Sequence, residues 1–231
     1  EYLEILSNLN NSNGQYFLGY IYYDAKYVQR DIRKAIYYLT KSANQNNINT
    51  QFYLGEIYYQ GIYVQRDINK AIYYLTLSSD SGQYNSQFYL GEIYYKGIYV
   101  QRDIKKAIFY LTSSANNNND RSQLFLGEIY FKGQYVAKDV QKAIQYFTKT
   151  ANQNNSNAQY CLGEIFYWAY SVPKDVNKAL YYLHLSSNQN CSKAQCLLGF
   201  IYYDEKDINK ALYYFKLSAD QNNADEQCFF R

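Results

Sequence analysis

The side chains best suited to acid–base or nucleophilic chemistry are few in this chain. His184 is the single histidine, and the cysteines are Cys161, Cys191, Cys196 and Cys228. Nucleophilic catalysis needs a nucleophile and a base held by a third group, and no such set is evident around one histidine. Thiolate metal sites use close pairs such as Cys-x-x-Cys, which the sequence lacks. We therefore expect no catalytic, metal or cofactor site. The cysteines are expected to be free thiols in small core gaps, with a Cys196–Cys228 bridge as the alternative.

Composition narrows the classes of partner. The formal net charge is +3 and the sequence contains 32 tyrosines, but no strongly basic stripe and no glycine-rich phosphate loop. We therefore expect no nucleic-acid partner and no bound nucleotide. No apolar run reaches the roughly 18 residues that a membrane-spanning helix needs. The compartment stays unknown. The cytoplasm is the default, and a secreted or host-directed location requires a signal outside this segment.

A fixed internal period organises the elements that would position any site. The dipeptide Leu-Gly recurs at steps of 36 residues, at Leu18-Gly19, Leu54-Gly55, Leu90-Gly91, Leu126-Gly127, Leu162-Gly163 and Leu198-Gly199. A period in this range is typical of a solenoid, in which each repeat packs on its neighbours. Both ends of the sequence fall within a repeat. We therefore expect one array over residues 1–231 that is part of a longer one.

One repeat predicts a helical hairpin. The apolar spacing of residues 51–60 favours a first helix, which Gly61 ends by adopting the left-handed conformation. Asp67 then caps a second helix that runs to about Ser79, with Ile68, Ala71, Ile72, Leu75 and Ser79 as its buried stripe. A glycine inside a helix costs about 1 kcal/mol relative to Ala, so Gly55 and its equivalents indicate close approach of a neighbouring helix. His184 occupies a second-helix position that is Thr in four other repeats, which favours a solvated ring.

The pattern Leu-Gly-x-x-Tyr-x-x-Gly-x-x-Val-x-x-Asp-x-x-Lys-Ala-x-x-Tyr, from Leu54 to Tyr74, closely resembles the Sel-one-like repeat. This family is related to the tetratricopeptide repeat. The resemblance implies an all-α fold: a right-handed α/α superhelical solenoid of six 36-residue helical hairpins. Its last hairpin is shortened by four residues, and Ala25 and Ala169 replace the glycine that ends the first helix in two repeats. Members of the family mostly act as adaptors between proteins.

The relationship to tetratricopeptide repeats also implies a concave binding face lined by the first helices. Its residues lie three before, one after, four after and five after each Leu-Gly glycine. The implied partner-binding residues are Phe52, Glu56, Tyr59, Gln60, Phe88, Glu92, Tyr95, Lys96, Glu128, Phe131, Lys132, Tyr160, Glu164, Tyr167 and Trp168. A column of four glutamates among aromatic side chains would favour a protein or peptide with Lys or Arg. Two alternatives stay open: the glutamates are copies left by recent duplication, or they pair with lysines of adjacent helices.

The sequence is therefore compatible with three functions. The leading one is a non-catalytic scaffold or adaptor that binds protein or peptide partners on the concave face. The second is a structural spacer, in which the length of the array matters rather than its surface. The third is a β-lactamase-like enzyme, an activity credited to some proteins of the family, for which this sequence supplies no nucleophile with an activating base.

Overall fold

The computed structural model describes residue 5 and residues 10–221, and within that part all regular secondary structure is helical. The first helices of the repeats are α1 (Ser12–Asp24), α3 (Ile48–Gln60), α5 (Tyr84–Lys96), α7 (Asp120–Lys132), α9 (Ser156–Trp168) and α11 (Ser192–Asp204). The second helices are α2 (Ile32–Ala43), α4 (Ile68–Asp80), α6 (Ile104–Asn116), α8 (Val140–Ala151), α10 (Val176–Ser187) and α12 (Ile208–Ala219). They pair into six hairpins, which confirms the predicted all-α repeat architecture.

The chain divides into two compact units, Glu1–Asn119 and Asp120–Arg231. Helices α1–α6 belong to the first unit and α7–α12 to the second. Each unit therefore contains three of the described hairpins, with three first helices and three second helices. No helix among the described residues is long and apolar enough to span a bilayer.

Capping side chains set the helix boundaries as the sequence predicts. Each second helix follows an aspartate whose Oδ1 accepts a hydrogen bond from the backbone N–H three residues later, at 2.9–3.1 Å. At the end of α3, Gly61 has a φ of 65°, and Ala25 and Ala169 hold the same left-handed conformation at 59° and 56°. The two alanines therefore preserve the turn, although an L-residue is strained there. In the shortened sixth hairpin, Lys206 takes this conformation with a φ of 63°.

The buried stripe of the second helix differs from the predicted one at two positions: Ile72 is only partly buried, and Ser78 is added. In α4, Ile68, Ala71, Leu75 and Ser79 are buried, and so is Ser78. The Oγ of Ser78 donates to the backbone carbonyl of Ile48 at 3.1 Å, which ties the end of α4 to the start of α3. Small polar residues at this position thus close the hairpin.

The helix-interior glycines mark the closest approach between the two helices of one hairpin. A Cβ placed on Gly55 would lie 2.6 Å from Cγ and 2.8 Å from Cδ2 of Leu75, which is fully buried. Non-bonded carbon atoms at these distances overlap and repel each other strongly, so this packing requires glycine. The expectation of close helix approach is confirmed, and the partner is the second helix of the same repeat.

A glutamine four residues before each of these glycines is buried, which the helix spacing alone does not predict. The six are Gln15, Gln51, Gln87, Gln123, Gln159 and Gln195. Gln159 shows the best satisfied arrangement: its Nε2 donates to the carbonyl of Ala151 at 3.4 Å, and its Oε1 accepts from Nε2 of Gln189 at 2.8 Å. Gln159 thus connects α9 to the ends of α8 and α10, the second helices on either side of it.

Candidate partner-binding face

In the first unit, the predicted glutamates are held by tyrosines of the neighbouring first helix. Oε1 of Glu56 on α3 accepts from the hydroxyl of Tyr89 on α5 at 2.7 Å. In the opposite direction, Oε2 of Glu92 on α5 accepts from the hydroxyl of Tyr59 on α3 at 3.0 Å. The two bonds cross between adjacent helices, so both carboxylates are fixed in place.

Each glutamate also has a partner one turn later on its own helix. Nε2 of Gln60 donates to Oε1 of Glu56 at 3.0 Å, and Nζ of Lys96 lies 2.7 Å from Oε1 of Glu92. Burial lowers the pKa of Lys96, but its hydrogen bond to Glu92 and the charge of that residue outweigh burial, and the pKa is raised. Glu92 therefore carries its own counter-charge, whereas Glu56 is bonded to neutral groups.

The crossed arrangement shifts the pKa of Tyr59. Burial raises the pKa of the Tyr59 hydroxyl, and the charge of Glu92 raises it further. The phenol therefore stays protonated and donates over the physiological range. The glutamates pair with tyrosines and with residues of their own helix, so the alternative of pairing with lysines of adjacent helices does not describe Glu56 or Glu92.

The aromatic part of this face is less open than the offsets imply. Phe88 is buried, Phe52 and Tyr95 are partly buried, and the ring of Phe52 lies 6.0 Å from that of Tyr89. Tyr89 itself, two residues before its Leu-Gly glycine, was not among the predicted residues. It fills the space between α3 and α5, with its ring 5.5 Å from that of Tyr59.

The same offset carries a second residue that the sequence analysis missed. Tyr53 packs its ring against Tyr16, Tyr20 and Tyr23 of α1, at 6.4, 5.6 and 5.5 Å. Burial, followed by these neighbours, raises its pKa. The sequence does contain a sign of this role, because the residue two before the Leu-Gly glycine is aromatic in each of the first four repeats. That position joins consecutive first helices in the first unit.

In the second unit, Glu128 pairs on its own helix. Nζ of Lys132 lies 3.0 Å from Oε2 of Glu128, and the lysine is exposed while the glutamate is partly buried. Phe131 is partly buried, with its ring 5.5 Å from that of Tyr170 and Nζ of Lys138 5.2 Å from its centroid. This turn of α7 therefore presents an ion pair beside a clustered aromatic side chain.

Glu164 has a different environment from the other glutamates. Burial raises its pKa, against the opposing effects of a hydrogen bond with Tyr160 and the charge of Lys193. Burial likewise raises the pKa of the neighbouring Tyr160 hydroxyl, followed by the charge of Glu164. Burial also raises the pKa of the Cys161 thiol to about 12, so this cysteine is a thiol at neutral pH rather than a nucleophilic thiolate.

The last two predicted residues have opposite exposure. Tyr167 is buried, and its hydroxyl donates to Oδ2 of Asp204 at 2.6 Å. Trp168, the one tryptophan of the sequence, is 52% exposed, with its ring 4.8 Å from that of Tyr167. Trp168 is thus an exposed indole supported on one side by a fixed tyrosine.

The expectation of a solvated His184 is wrong. The ring is partly buried between α11 and α12, with Nε2 3.0 Å from the hydroxyl of Tyr202 and Nδ1 3.1 Å from that of Tyr214. The two tyrosine rings stack on each other with 5.6 Å between centroids. His184 is therefore a structural bridge within the second unit.

Folding lowers the pKa of His184 through burial and then through the positive charge of Lys210. The unfolded chain then binds the proton more tightly, so stability contributed by neutral His184 is lost as pH falls below its ordinary value of 6.5. We expect a larger drop in urea midpoint between about pH 7.5 and about pH 5 for the wild type than for His184→Thr, which copies the other repeats. Identical pH dependence in the two proteins would contradict the prediction.

The remaining candidate chemistry is sparse. Cys161 and Cys191 are free, as expected, but Cys196 is disulfide-bonded, so the expectation of a free thiol there is wrong. Cys228 lies outside the described residues. Within the described part of the chain, no three His, Cys, Asp or Glu side chains are grouped so that they could hold a metal ion.

Comparison with known proteins agrees with the hairpin architecture. The Sel1 repeat model matches residues 12–47, 49–83, 85–119, 120–155, 156–191 and 192–223. Comparison with curated protein sequences gives no match. A protective antigen of uropathogenic Escherichia coli with an SLR fold is 29% identical, with a TM-score of 0.87 over 96% of this chain and 48% of its own. The chain thus spans about half the length of that relative.

Two further solved structures extend the likeness. A Sel1 repeat protein from Oxalobacter formigenes is 26% identical, with a TM-score of 0.78 over 93% of this chain and 89% of its own. The immunity protein Pa5087 from Pseudomonas aeruginosa is 17% identical, with a TM-score of 0.51 over 90% of this chain and 81% of its own, and shares the fold alone. Six matched repeats, each a capped hairpin closed on its Leu-Gly glycine, place this chain in the Sel1 repeat family.

Proposed function

We propose that this chain is a non-catalytic scaffold that binds a protein or peptide partner on the face formed by its first helices. The observation that carries this proposal is the crossed pair of hydrogen bonds, Tyr89 to Glu56 and Tyr59 to Glu92, between α3 and α5. It holds two carboxylates and two aromatic side chains in one ordered surface. Such a surface needs little further ordering when a partner binds.

The second unit supports the same proposal through Trp168. Its exposed indole is supported by Tyr167, and tryptophan and tyrosine are the side chains that most often dominate the energy of binding. An aromatic anchor that is already fixed loses little side-chain entropy on binding. Among the relatives, the E. coli protein is described as a protective antigen, which gives no partner chemistry for this chain.

We expect Glu56 to be the residue that binds a basic group of the partner. Its carboxylate is bonded to the hydroxyl of Tyr89 and the amide of Gln60, both neutral, while Glu92 and Glu128 are paired with Lys96 and Lys132. A lysine or arginine of the partner would therefore contribute most to the binding free energy at Glu56. At the other two glutamates it would have to displace a lysine.

The test is a binding titration with peptides selected against the whole chain from a random library. We expect Glu56→Gln to weaken a Lys- or Arg-containing peptide about fivefold, equivalent to about 1 kcal/mol. Glu92→Gln should weaken the same peptide less than about twofold, because Lys96 already neutralises that charge. Glutamine can still accept from Tyr89, so the fold is retained.

A second readout uses the single tryptophan. A peptide that binds the first-helix face of the second unit should change the emission of Trp168, and Trp168→Ala should weaken it. Peptides with the basic residues replaced by Glu serve as the matched control. Selected peptides that bind Glu56→Gln, Trp168→Ala and wild type equally would contradict the proposal and favour a spacer role.

A further inference from the structure

An exposed apolar edge lies in the first unit, and two of its residues, Ile98 and Tyr99, line a small cavity together with Tyr59 and Lys96 of the first-helix face. It consists of the side chains of Tyr27, Ile62, Tyr63, Ile98 and Tyr99, on the three loops that join the two helices of each hairpin. We call these five residues the loop edge. Tyr27, Ile62 and Ile98 are 81%, 63% and 69% exposed. Clustered exposed aliphatic and aromatic side chains of this size mark interaction surfaces.

Stacking contacts hold the loop edge in order. The guanidinium of Arg30 lies 3.9 Å from the ring centroid of Tyr63 in the next loop, and Arg66 stacks on Tyr99 and hydrogen-bonds to its hydroxyl. Nη2 of Arg66 also donates to the carbonyl of Gln60 at the end of α3, at 3.1 Å. The three loops therefore lie side by side. Arg30 joins the first loop to the second, and Arg66 joins the second loop to the third.

Charge is segregated toward the loop edge. Residues 25–34, 61–70 and 97–106, which form the loops and the starts of the second helices, contain nine Lys or Arg and three Asp. The three Asp are the helix caps, each close to the lysine three residues later. The rest of residues 10–119 contains two Lys and four acidic residues. The positive charge of the first unit is thus concentrated around its exposed isoleucines and tyrosines.

We propose that the loop edge docks on a lipid bilayer that carries anionic headgroups. Tyrosines beside aliphatic side chains with a surrounding excess of Lys and Arg match the chemistry of a bilayer interface, where aromatic rings sit at headgroup level and cations meet anionic lipids. Ile62 and Ile98 project from loop tips with most of their surface exposed. A lipid interface accepts such tips without needing a complementary pocket, which favours lipid over an acidic protein.

The experiment is co-sedimentation of the whole chain with vesicles of phosphatidylcholine, with and without phosphatidylserine, at low and high NaCl. We expect binding only to the phosphatidylserine vesicles, weakened by salt. The double variant Ile62→Gln and Ile98→Gln should bind at least about tenfold more weakly, since burying a single methylene already contributes several-fold. Gln134 occupies the equivalent position in the fourth repeat, so the fold tolerates this change.

Two further variants separate the parts of the proposal. Arg33→Asn and Lys105→Asn copy Asn69 of the second repeat, and each should weaken binding about fivefold. The matched control is Tyr73→Gln with Phe109→Gln, which removes exposed aromatic side chains from α4 and α6 and copies Gln145. This control should bind the vesicles as tightly as the wild type.

Three results would overturn the proposal: no binding to phosphatidylserine vesicles at low salt, equal binding to neutral vesicles, or equal losses in the loop-edge and control variants. Binding of poly-glutamate that depends on Ile62 and Ile98, without vesicle binding, would instead assign the edge to an acidic protein. Circular dichroism of each variant establishes that a loss of binding is not a loss of fold.

Discussion

Replacing Leu75 by Ala is expected to lower the free energy of unfolding by about 2–5 kcal/mol. The side chain of Leu75 is fully buried and packs directly on Gly55 across the hairpin of α3 and α4. Removing it leaves a cavity against a glycine, which has no side chain of its own to fill the space. Urea unfolding of the variant measures the loss, and Asn69→Ala on the exposed side of α4 is the control, expected to change stability by less than about 0.5 kcal/mol.

A substitution at Gly55 tests whether close packing against Leu75 is the reason for the glycine. Alone, Gly55→Ala adds a Cβ that overlaps Leu75, at a cost of about 1–3 kcal/mol, against about 1 kcal/mol gained from helix propensity. In the Leu75→Ala background the overlap is removed, and the nearest remaining contact is the backbone nitrogen of residue 75 at 3.2 Å. We therefore expect the double variant to be more stable than the sum of the two losses predicts. Strict additivity would contradict close packing as the reason for the glycine.

The period predicts the scaffold because each of its recurring residues acts locally. An aspartate before a helix, a glycine after one and a glycine within one have the same physical effect wherever the repeat occurs, so one repeat predicts six hairpins. Ala25 and Ala169 show that the turn does not depend on glycine alone, since both alanines adopt the left-handed conformation. Capping and packing together impose that conformation.

The candidate site is predicted less well because it depends on contacts between repeats. Offsets from the glycine correctly select Glu56 and Glu92 as residues of the first helices, but they do not reveal that Tyr89 and Tyr59 hold them. Those bonds join residues 33 apart, one in each of two neighbouring repeats. An internal alignment shows which residues are equivalent. It does not show which residues of adjacent repeats meet.

His184 shows the same limitation at a single residue. Its alignment with threonines indicated an outer position, and the tyrosines that bracket it come from α11 and α12 of the following repeat. A histidine can reach both hydroxyls at once because its ring has two nitrogen atoms, one donating and one accepting in the neutral form. The substitution therefore adds a bridge that the alignment, taken within one repeat, does not predict.

The buried glutamines give the second large prediction. Gln189→Ser is expected to lower the free energy of unfolding by about 1–3 kcal/mol, which is the cost of leaving the buried Oε1 of Gln159 without a donor. Nε2 of Gln189 donates to Oε1 of Gln159 at 2.8 Å, and serine is too short to replace that bond. The serine is a natural choice for this position, because Ser81 occupies it in the second repeat.

The second repeat provides the reciprocal experiment. Oε1 of Gln51 is buried without a hydrogen-bond partner, whereas Nε2 of that side chain donates to the carbonyl of Ala43 at 3.3 Å. Ser81→Gln should supply the missing donor and raise the free energy of unfolding by about 1 kcal/mol. That gain is the benefit of satisfying a buried acceptor less the entropy of ordering a glutamine side chain. Opposite signs for Gln189→Ser and Ser81→Gln, measured by urea unfolding, are the expected result. An unchanged stability of Gln189→Ser, or a loss of stability in Ser81→Gln, would contradict a stabilising role for the bond between the two glutamines.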